Sequence, residues 1–506
     1  MIRQLARTAG LAIIYLVASA HVGSPDAWFE GMAGPYHVTV EVQTAGVVPG
    51  VARVYVRASG DVPQTVTIQA NKFDATDGAP PPESTKRVPD EPATFLGQLW
   101  IMSTGSNSVT VNVAGPKGSG SVIVPVVVVA YSRLKLDKPM GIALGAMGIF
   151  LFAGLVTIIG AAVREGSLNP GETPSPHLRR RARNAMMITT VIGITMLTGG
   201  WLWWNSEDKT YERNMYKPLE SSSAIAMRNG SAFIDVSIRD SSWVHRGDSA
   251  WINRREVSAW TPLVEDHGKI MHMFMIRDDL GAFAHLHPST SDSVTFSSAM
   301  PPLPPGKYRV FADIVHESGF THTLTSTVDV SATSGAPTAV GNPDDSWFSG
   351  PAGESRTAQL DSVGTIEWNS SGSITAGSPA SLKFTVRKSD GSPALLEPYM
   401  GMPAHAVVAR SDGSVFVHLH PMGTVSMASK MAFEMREPGD TIRGKLGARL
   451  AEAEMSSMSH APVTVGEVSF PYAFPKPGRY RIWVQVKLEG KIRTAAFDAD
   501  VMDGKI

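Results

Sequence analysis

His272-Met273-Phe274-Met275-Ile276-Arg277-Asp278-Asp279-Leu280-Gly281-Ala282-Phe283-Ala284-His285-Leu286-His287-Pro288 is answered later in the chain by His405-Ala406-Val407-Val408-Ala409-Arg410-Ser411-Asp412-Gly413-Ser414-Val415-Phe416-Val417-His418-Leu419-His420-Pro421. In both copies one histidine precedes a His-Leu-His-Pro closure at the same spacing. Asp412-Gly413 between two apolar runs is a strong signal for a tight hairpin turn. Folding about it sets His405 opposite His420, and the two-residue period of a strand puts His418 on the same face, diagonal to His405. In the first copy the turn centres on Asp279 and Leu280, with Gly281 following, and sets His272 opposite His287 with His285 diagonal. Opposed Cβ atoms lie roughly 5 Å apart and diagonal ones roughly 7 Å, within reach of one ion bonded to imidazole nitrogens at about 2 Å. Each hairpin therefore predicts its own three-histidine metal site. The competing reading is a set of half-buried structural histidines with backbone partners. Duplication in one register favours metal, because opposed imidazoles repel when protonated and are hard to satisfy when neutral.

Composition narrows the donors. The chain has 506 residues, a formal net charge of −1 and no cysteine. Such a length exceeds one core and suggests three or four units. Lys and Arg scattered outside one loop argue against a nucleic-acid partner. Without cysteine there are no disulfides, thiolate metal sites, iron–sulfur clusters or cysteine nucleophiles. Imidazole, thioether, carboxylate and backbone remain.

Residues 1–20 combine Arg3 and Arg7, an apolar run from Leu11 to Val17, and Ala18-Ser19-Ala20, the pattern of an export signal or N-terminal anchor. Two uncharged apolar stretches, 139–163 and 184–206, are each long enough for a bilayer core about 30 Å thick. The Arg-rich segment 164–183 between them, with Arg179, Arg180, Arg181 and Arg183, is expected on the cytoplasmic side. Trp201, Trp203 and Trp204 then mark the outer interface. The expected place is the bacterial inner membrane, with the soluble parts on the periplasmic side.

The remainder reads as β structure. Residues 21–133 contain β-branched runs such as Val38-Thr39-Val40-Glu41-Val42, punctuated by turns, and suggest a β-sandwich of immunoglobulin-like size. Residues 221–331 and 357–506 each contain one histidine hairpin followed by Pro-Gly-(Lys/Arg)-Tyr-Arg, at Pro305-Gly306-Lys307-Tyr308-Arg309 and Pro477-Gly478-Arg479-Tyr480-Arg481. Hairpin and late strand recur in the same order, which marks an internal repeat. Residues 332–356, rich in Gly, Pro, Ser and Asp, form the expected linker. The predicted fold class is mainly β: three immunoglobulin-like or cupredoxin-like β-sandwich domains, with a two-helix transmembrane hairpin between the first and second.

The two copies differ. The first has His316 and His322 after its Tyr-Arg strand, where the second has Leu488 and Thr494. These histidines are expected either to approach the first site and complete its shell, the reading preferred, or to form a separate surface pair. His267, five residues before His272, is expected to face away from a continuous strand. The second copy is rich in methionine, including Met427, Met431 and Met435, and then Met455, Met458 and His460. Soft thioethers select Cu(I), while imidazoles accept Cu(II) or Zn(II). Met455, Met458 and His460 therefore join the candidate ligands, with copper the expected metal and zinc the alternative. For the methionines spaced by four, a helical core stripe is an equal reading.

Asp266-His267-Gly268-Lys269 through His-Leu-His-Pro to Pro-Gly-Lys-Tyr-Arg, and Pro398-Tyr399-Met400-Gly401-Met402 through the same motifs to Pro-Gly-Arg-Tyr-Arg, resemble the bacterial YtkA-like exported domains. These are β-sandwich modules grouped with the CopC-like and FixH-like proteins. The resemblance covers roughly the C-terminal half. It implies an extracytoplasmic, membrane-associated role in copper handling or in assembly of respiratory machinery.

Two functions follow as expectations. One is a membrane-tethered metal-binding protein acting in copper buffering, resistance or delivery to respiratory enzymes. The other is a scaffold subunit of a larger membrane complex, with structural histidines and other membrane subunits as partners. No Gly-x-Ser-x-Gly, His-Glu-x-x-His or phosphate loop is present, and Asp313 and Glu317 are the only acids near the matched strand of the first repeat. No catalytic residue is assigned, and an enzyme is not expected.

Overall fold

The structure is a computed structural model that describes residues 26–73, 78–134, 136–244, 257–331, 341–350, 356–369, 372–437, 440, 445–459 and 463–504. The N-terminal segment 1–20 and His460 lie outside the described residues. The chain is mainly β, with several antiparallel sheets and two long apolar helices. It divides into two units, one comprising 130–216 and the other the rest.

The 130–216 unit holds the helices Lys138–Glu165 and Pro176–Asn214, both long and apolar enough to cross a membrane. They pack closely where side chains are absent. A Cβ at Gly160 would meet Met186 Sδ at 2.5 Å, and one at Gly193 would meet the Phe152 ring at 2.3 Å. Ser175 caps the second helix by accepting from Leu178 N–H, with Pro176 in the first turn. Arg179 to Arg183 therefore lie on this helix rather than in the expected loop 164–183, and the helix runs beyond the expected end at 206 to Asn214.

In the other unit, residues 26–128 form two sheets. One runs in the order Lys86–Val88, Glu91–Ile101, Gly50–Ser59, Tyr36–Gln43, Asp26–Ala33, and the other runs Glu83–Ser84, Thr65–Lys72, Gly105–Gly115, Gly118–Val128. The valine alternation of Tyr36–Gln43 buries Val38, Val40 and Val42, as a period of two requires. This segment also touches the second repeat. Glu30 N–H donates to Met422 O at 2.8 Å, and Trp28 and Thr424 exchange bonds at 2.9 and 3.0 Å. Gly423 between them has φ 117°, and a Cβ there would lie 2.1 Å from Trp28 O.

The internal repeat is present in the topology. The strand order Thr321–Val330, Gly306–His316, His272–Arg277, Ala282–Leu286 in the first copy recurs as Lys491–Met502, Gly478–Leu488, Ala404–Arg410, Phe416–Leu419 in the second. The hairpin registers follow the turns: Met273 opposes Leu286, and Ala406 opposes Leu419. Each sheet encloses a core with a second sheet of its own repeat. Met273, Met275 and Tyr308 pack with Ile234, Val236 and Phe296 in the first copy, and Ala406, Val408 and Tyr480 pack with Phe384 and Phe470 in the second. The linker 332–356 is not simply a connection. Its Ser346–Ser349 is a strand on the edge of the first repeat's sheet, pairing with Ala282–Leu286. An otherwise open edge is thereby covered.

The other face of each hairpin sheet is also buried, against its counterpart. Phe274, Ile276, Phe283 and Phe311 of the first repeat share a core with Val407, Phe416 and Trp483 of the second. Phe311 stacks on Phe416 at 4.2 Å, and Phe283 on Trp483 at 4.9 Å. Burial on both faces explains the near-continuous apolar runs of these strands. Arg481 is fully buried at this interface, paired with Asp498 and donating to Leu280 O at 2.6 Å. Phe416→Ala should remove two ring contacts at once. It is expected to cost about 3–5 kcal/mol, read as a lower urea midpoint, whereas the exposed Met227→Ala should leave the midpoint within error.

Candidate metal centre

Because the sheets face each other, the two predicted sites are not separate. His272, His285 and His287 converge with His405, His418 and His420 in one cluster, joined by His267. His272 and His418, from different repeats, have ring centroids 5.3 Å apart, and His285 and His418 are 5.5 Å apart. All seven rings are buried. Among the described residues two histidine-only groups bring one nitrogen per ring within 4.8 Å of one another: His272, His285 and His287, and His267, His405 and His420. The second of these groups contains His267 where the sequence reading had His418, which lies beside it, 5.5 Å from His405 and 4.4 Å from His420 between ring centroids.

His267 escapes a sequence reading that assumed a continuous strand. Residues 266–269 form a tight turn, closed by Asp266 N–H to Lys269 O at 2.9 Å and Lys269 N–H to Asp266 O at 3.1 Å. His267 and Gly268 have φ 56° and 70°, the two positive values of a type I′ turn. Met400 and Gly401 repeat this at φ 50° and 76°. The signal was in the sequence, in a Gly following each turn residue. Glu454, from the helix Lys445–Ser459, accepts the His267 backbone N–H.

Hydrogen bonds to the outer nitrogens fix the tautomers of the first triad. His272 Nε2 lies 2.9 Å from Asp266 O, a carbonyl that only accepts, so Nε2 carries the proton and Nδ1 holds a lone pair. His287 Nδ1 lies 3.0 Å from Asp345 Oδ1, which leaves Nε2 open. His285 Nδ1 faces two oxygens, Gln485 Oε1 at 2.9 Å and Tyr399 Oη at 3.3 Å. Tyr399 spends its own proton on Asp344 O, so His285 Nδ1 is the donor and Nε2 holds the lone pair. His285 Nε2 and His272 Nδ1 then stand 3.1 Å apart, lone pair against lone pair. Outer nitrogens held and inner ones bare is the arrangement that orients metal-bound histidine.

The second repeat mirrors this in part. His420 Nδ1 lies 3.3 Å from Val425 O, and His418 Nδ1 lies 3.7 Å from Asp313 Oδ2. Asp313 pairs across its sheet with His272 as Gln485 pairs with His405, so each repeat supplies an outer partner to the other's diagonal histidine. The Nε2 atoms of His267, His287, His418 and His420, and both ring nitrogens of His405, are buried without a hydrogen-bond partner, with Asp266 Oδ1 3.9 Å from His267 Nε2.

Other candidates fall elsewhere. His316 and His322 form a separate buried pair, with centroids 5.3 Å apart beside Trp243, and His316 Nδ1 lies 2.5 Å from Thr261 O. They do not complete the first site, because Gly306–His316 carries His316 beyond the end of the hairpin, opposite Leu263. Glu317 is likewise away from it, accepting Gly447 N–H at 2.8 Å. Met427 starts the helix Met427–Met435, in which Met431 and Met435 pack against a core containing Phe73, Val315, Leu446 and Leu450. This favours the core-stripe reading for them. Met455 is exposed, and Met458 covers Gly268 and Gly401, the tips of the two turns.

Residues 249–332 and 359–503, which include both histidine hairpins, match a family described as a domain of unknown function, DUF8832. No curated protein matches the chain. Solved structures give only faint likeness. An engineered protein has 18% identity and a TM-score of 0.14, over 16% of this chain and 17% of that one. The Salmonella alpha-2-macroglobulin reacted with methylamine has 8% identity and a TM-score of 0.18, over 96% of this chain and 24% of that one. A putative membrane anchored protein from Corynebacterium diphtheriae has 8% identity and a TM-score of 0.13, over 95% and 96%. The chain thus spans 17% and 24% of the first two of these structures.

Burial, first of all, holds every cluster imidazole below the ordinary histidine value, with His267 and His420 at about 3. Burial pushes the neighbouring carboxyls up, Asp345 to about 6, Asp313 to about 7 and Glu454 to about 8. As pH falls below 6.5 the unfolded chain gains protons on histidines that the fold keeps neutral, so the histidine contribution is present above 6.5 and lost below it. The three carboxyls act in the opposite sense, and seven histidines outweigh them. The metal-free protein is therefore expected to lose Tm steadily from pH 6.5 to 5 by calorimetry and to reach a level Tm only above about pH 8, where Glu454 and Asp313 are ionised in the fold as well. A Tm that rises over that interval would contradict burial of neutral rings.

Proposed function

We propose that this protein is a membrane-tethered metal-binding protein whose centre is the histidine cluster between its two repeats, with copper as the metal. The observation that carries the reading is the 3.1 Å approach of His272 Nδ1 to His285 Nε2 while the outer nitrogen of each ring is held by an oxygen, the tautomer pair that sets lone pair against lone pair. In a buried site this arrangement is repulsive, and a cation coordinated by both nitrogens and by His287 Nε2 converts the repulsion into bonding. Imidazole-only donors suit Cu(II), which stands at the top of the divalent affinity order, ahead of Zn(II). Low proton affinity keeps the rings available to a metal in mild acid.

We read the β-rich segments as three immunoglobulin-like or cupredoxin-like sandwiches. The two apolar helices serve as a tether in the bacterial inner membrane, with the cluster on the periplasmic side. The likeness to YtkA-like domains, the export-type N-terminus and the absence of thiols support a role in copper buffering, resistance or delivery to respiratory enzymes. Exposed Met455 beside Met458 suits transient handling of Cu(I).

The full chain in mild detergent, loaded with Cu(II) or Zn(II) and stripped of excess, should retain metal and gain Tm. His285→Gln keeps the volume of the ring but removes one of the facing lone pairs. It is expected to weaken copper retention at least tenfold, with little change in the far-UV spectrum. Wild-type protein that retains no metal and shows no Tm shift would end this reading.

A further inference from the structure

We infer that the cluster holds two metal ions side by side, the second seated on His267, His405 and His420. This rests on the metal-centre reading above and extends it from one ion to a coupled pair. The argument begins with a count of nitrogens. His272 Nδ1, His285 Nε2 and His287 Nε2 already supply one ion with three donors. The three rings of the second group bring their own nitrogens within 4.8 Å of one another. His420 Nε2, His267 Nε2 and both nitrogens of His405 have no hydrogen-bond partner, the Asp266 carboxylate standing 3.9 Å from His267 Nε2. A single ion takes about four such donors at roughly 2 Å, so it cannot serve both groups.

The two groups are also adjacent. His267 stands 6.1 Å from His272, and His285 stands 6.3 Å from His405, between ring centroids. His418 stands between them, 5.3 Å from His272 and 4.4 Å from His420, with its Nε2 unpartnered. It is placed to complete the shell of either ion. The second group draws His267 from the first repeat and the other two histidines from the second, so the second ion forms only when the repeats are docked. Two Cu(II) ions this close, each on imidazole, interact magnetically.

The test is a Cu(II) titration of the full chain in detergent, followed by electron paramagnetic resonance. The expected result is two coppers per chain, with a signal that grows to the first equivalent and declines as the second binds. His267→Gln, and independently His420→Gln, should retain one copper whose signal does not decline, so the proposal survives the loss of either variant to misfolding. One copper at saturation in the wild type, abolished by His285→Gln, would overturn the pair while leaving the single-ion centre intact. Two coppers with simply additive signals would also overturn it. Zero copper would remove both readings together.

Discussion

The structure depends on the apolar contact between two sheets that carry the same strands in the same order. Phe311 stacks on Phe416 at 4.2 Å and Phe283 on Trp483 at 4.9 Å. Such pairs contribute about 0.5–1.5 kcal/mol beyond their buried area. Because the contact lies on the sheet faces opposite each repeat's own core, it sets the histidines of one hairpin against those of the other. Seven imidazoles then lie in one desolvated cluster, which neither repeat alone would form.

The approximate symmetry of the repeats explains how such a cluster is supported. Gln485 and Asp313 occupy equivalent strand positions, and each faces the diagonal histidine of the opposite repeat. The linker adds what the symmetry lacks. Asp345 holds both the backbone N–H and the ring of His287, at 2.9 and 3.0 Å, and Lys269 ties down the neighbouring Asp344 at 2.6 Å. Symmetry breaks at the turns before the hairpins, where one copy places His267 and the other Met400, both at positive φ.

Burying neutral, incompletely bonded imidazoles is costly, since each unmatched polar group forfeits its hydration. The surrounding packing offsets this. The segment before the helices contributes as well, bonding through Trp28 and Glu30 to the loop 422–424 that directly follows His420 and Pro421. The first β segment thereby braces one wall of the cluster.

Much of this was readable in the amino-acid order. The Asp412-Gly413 and Asp279-Leu280 turns fixed the hairpin registers, and hence which histidines of one hairpin share a face, because strand geometry is local and has a period of two. The apolar stretches around 139–163 and 184–206 are helical for the same local reason. The repeat was equally legible in its Tyr-Arg strands. What the sequence left undecided was everything that depends on distant contacts. That two triads form one cluster follows from aromatic stacking between residues more than a hundred positions apart. His267 enters because a left-handed turn at Gly268 breaks the strand that would have turned it away, while His316 stays out because its strand runs past the hairpin. The tautomers, and with them the two lone pairs facing across 3.1 Å, are set by Asp266, Gln485, Tyr399 and Asp345. These partners converge only in the folded chain, where docking of the two sheets excludes the water that would otherwise serve every ring alike.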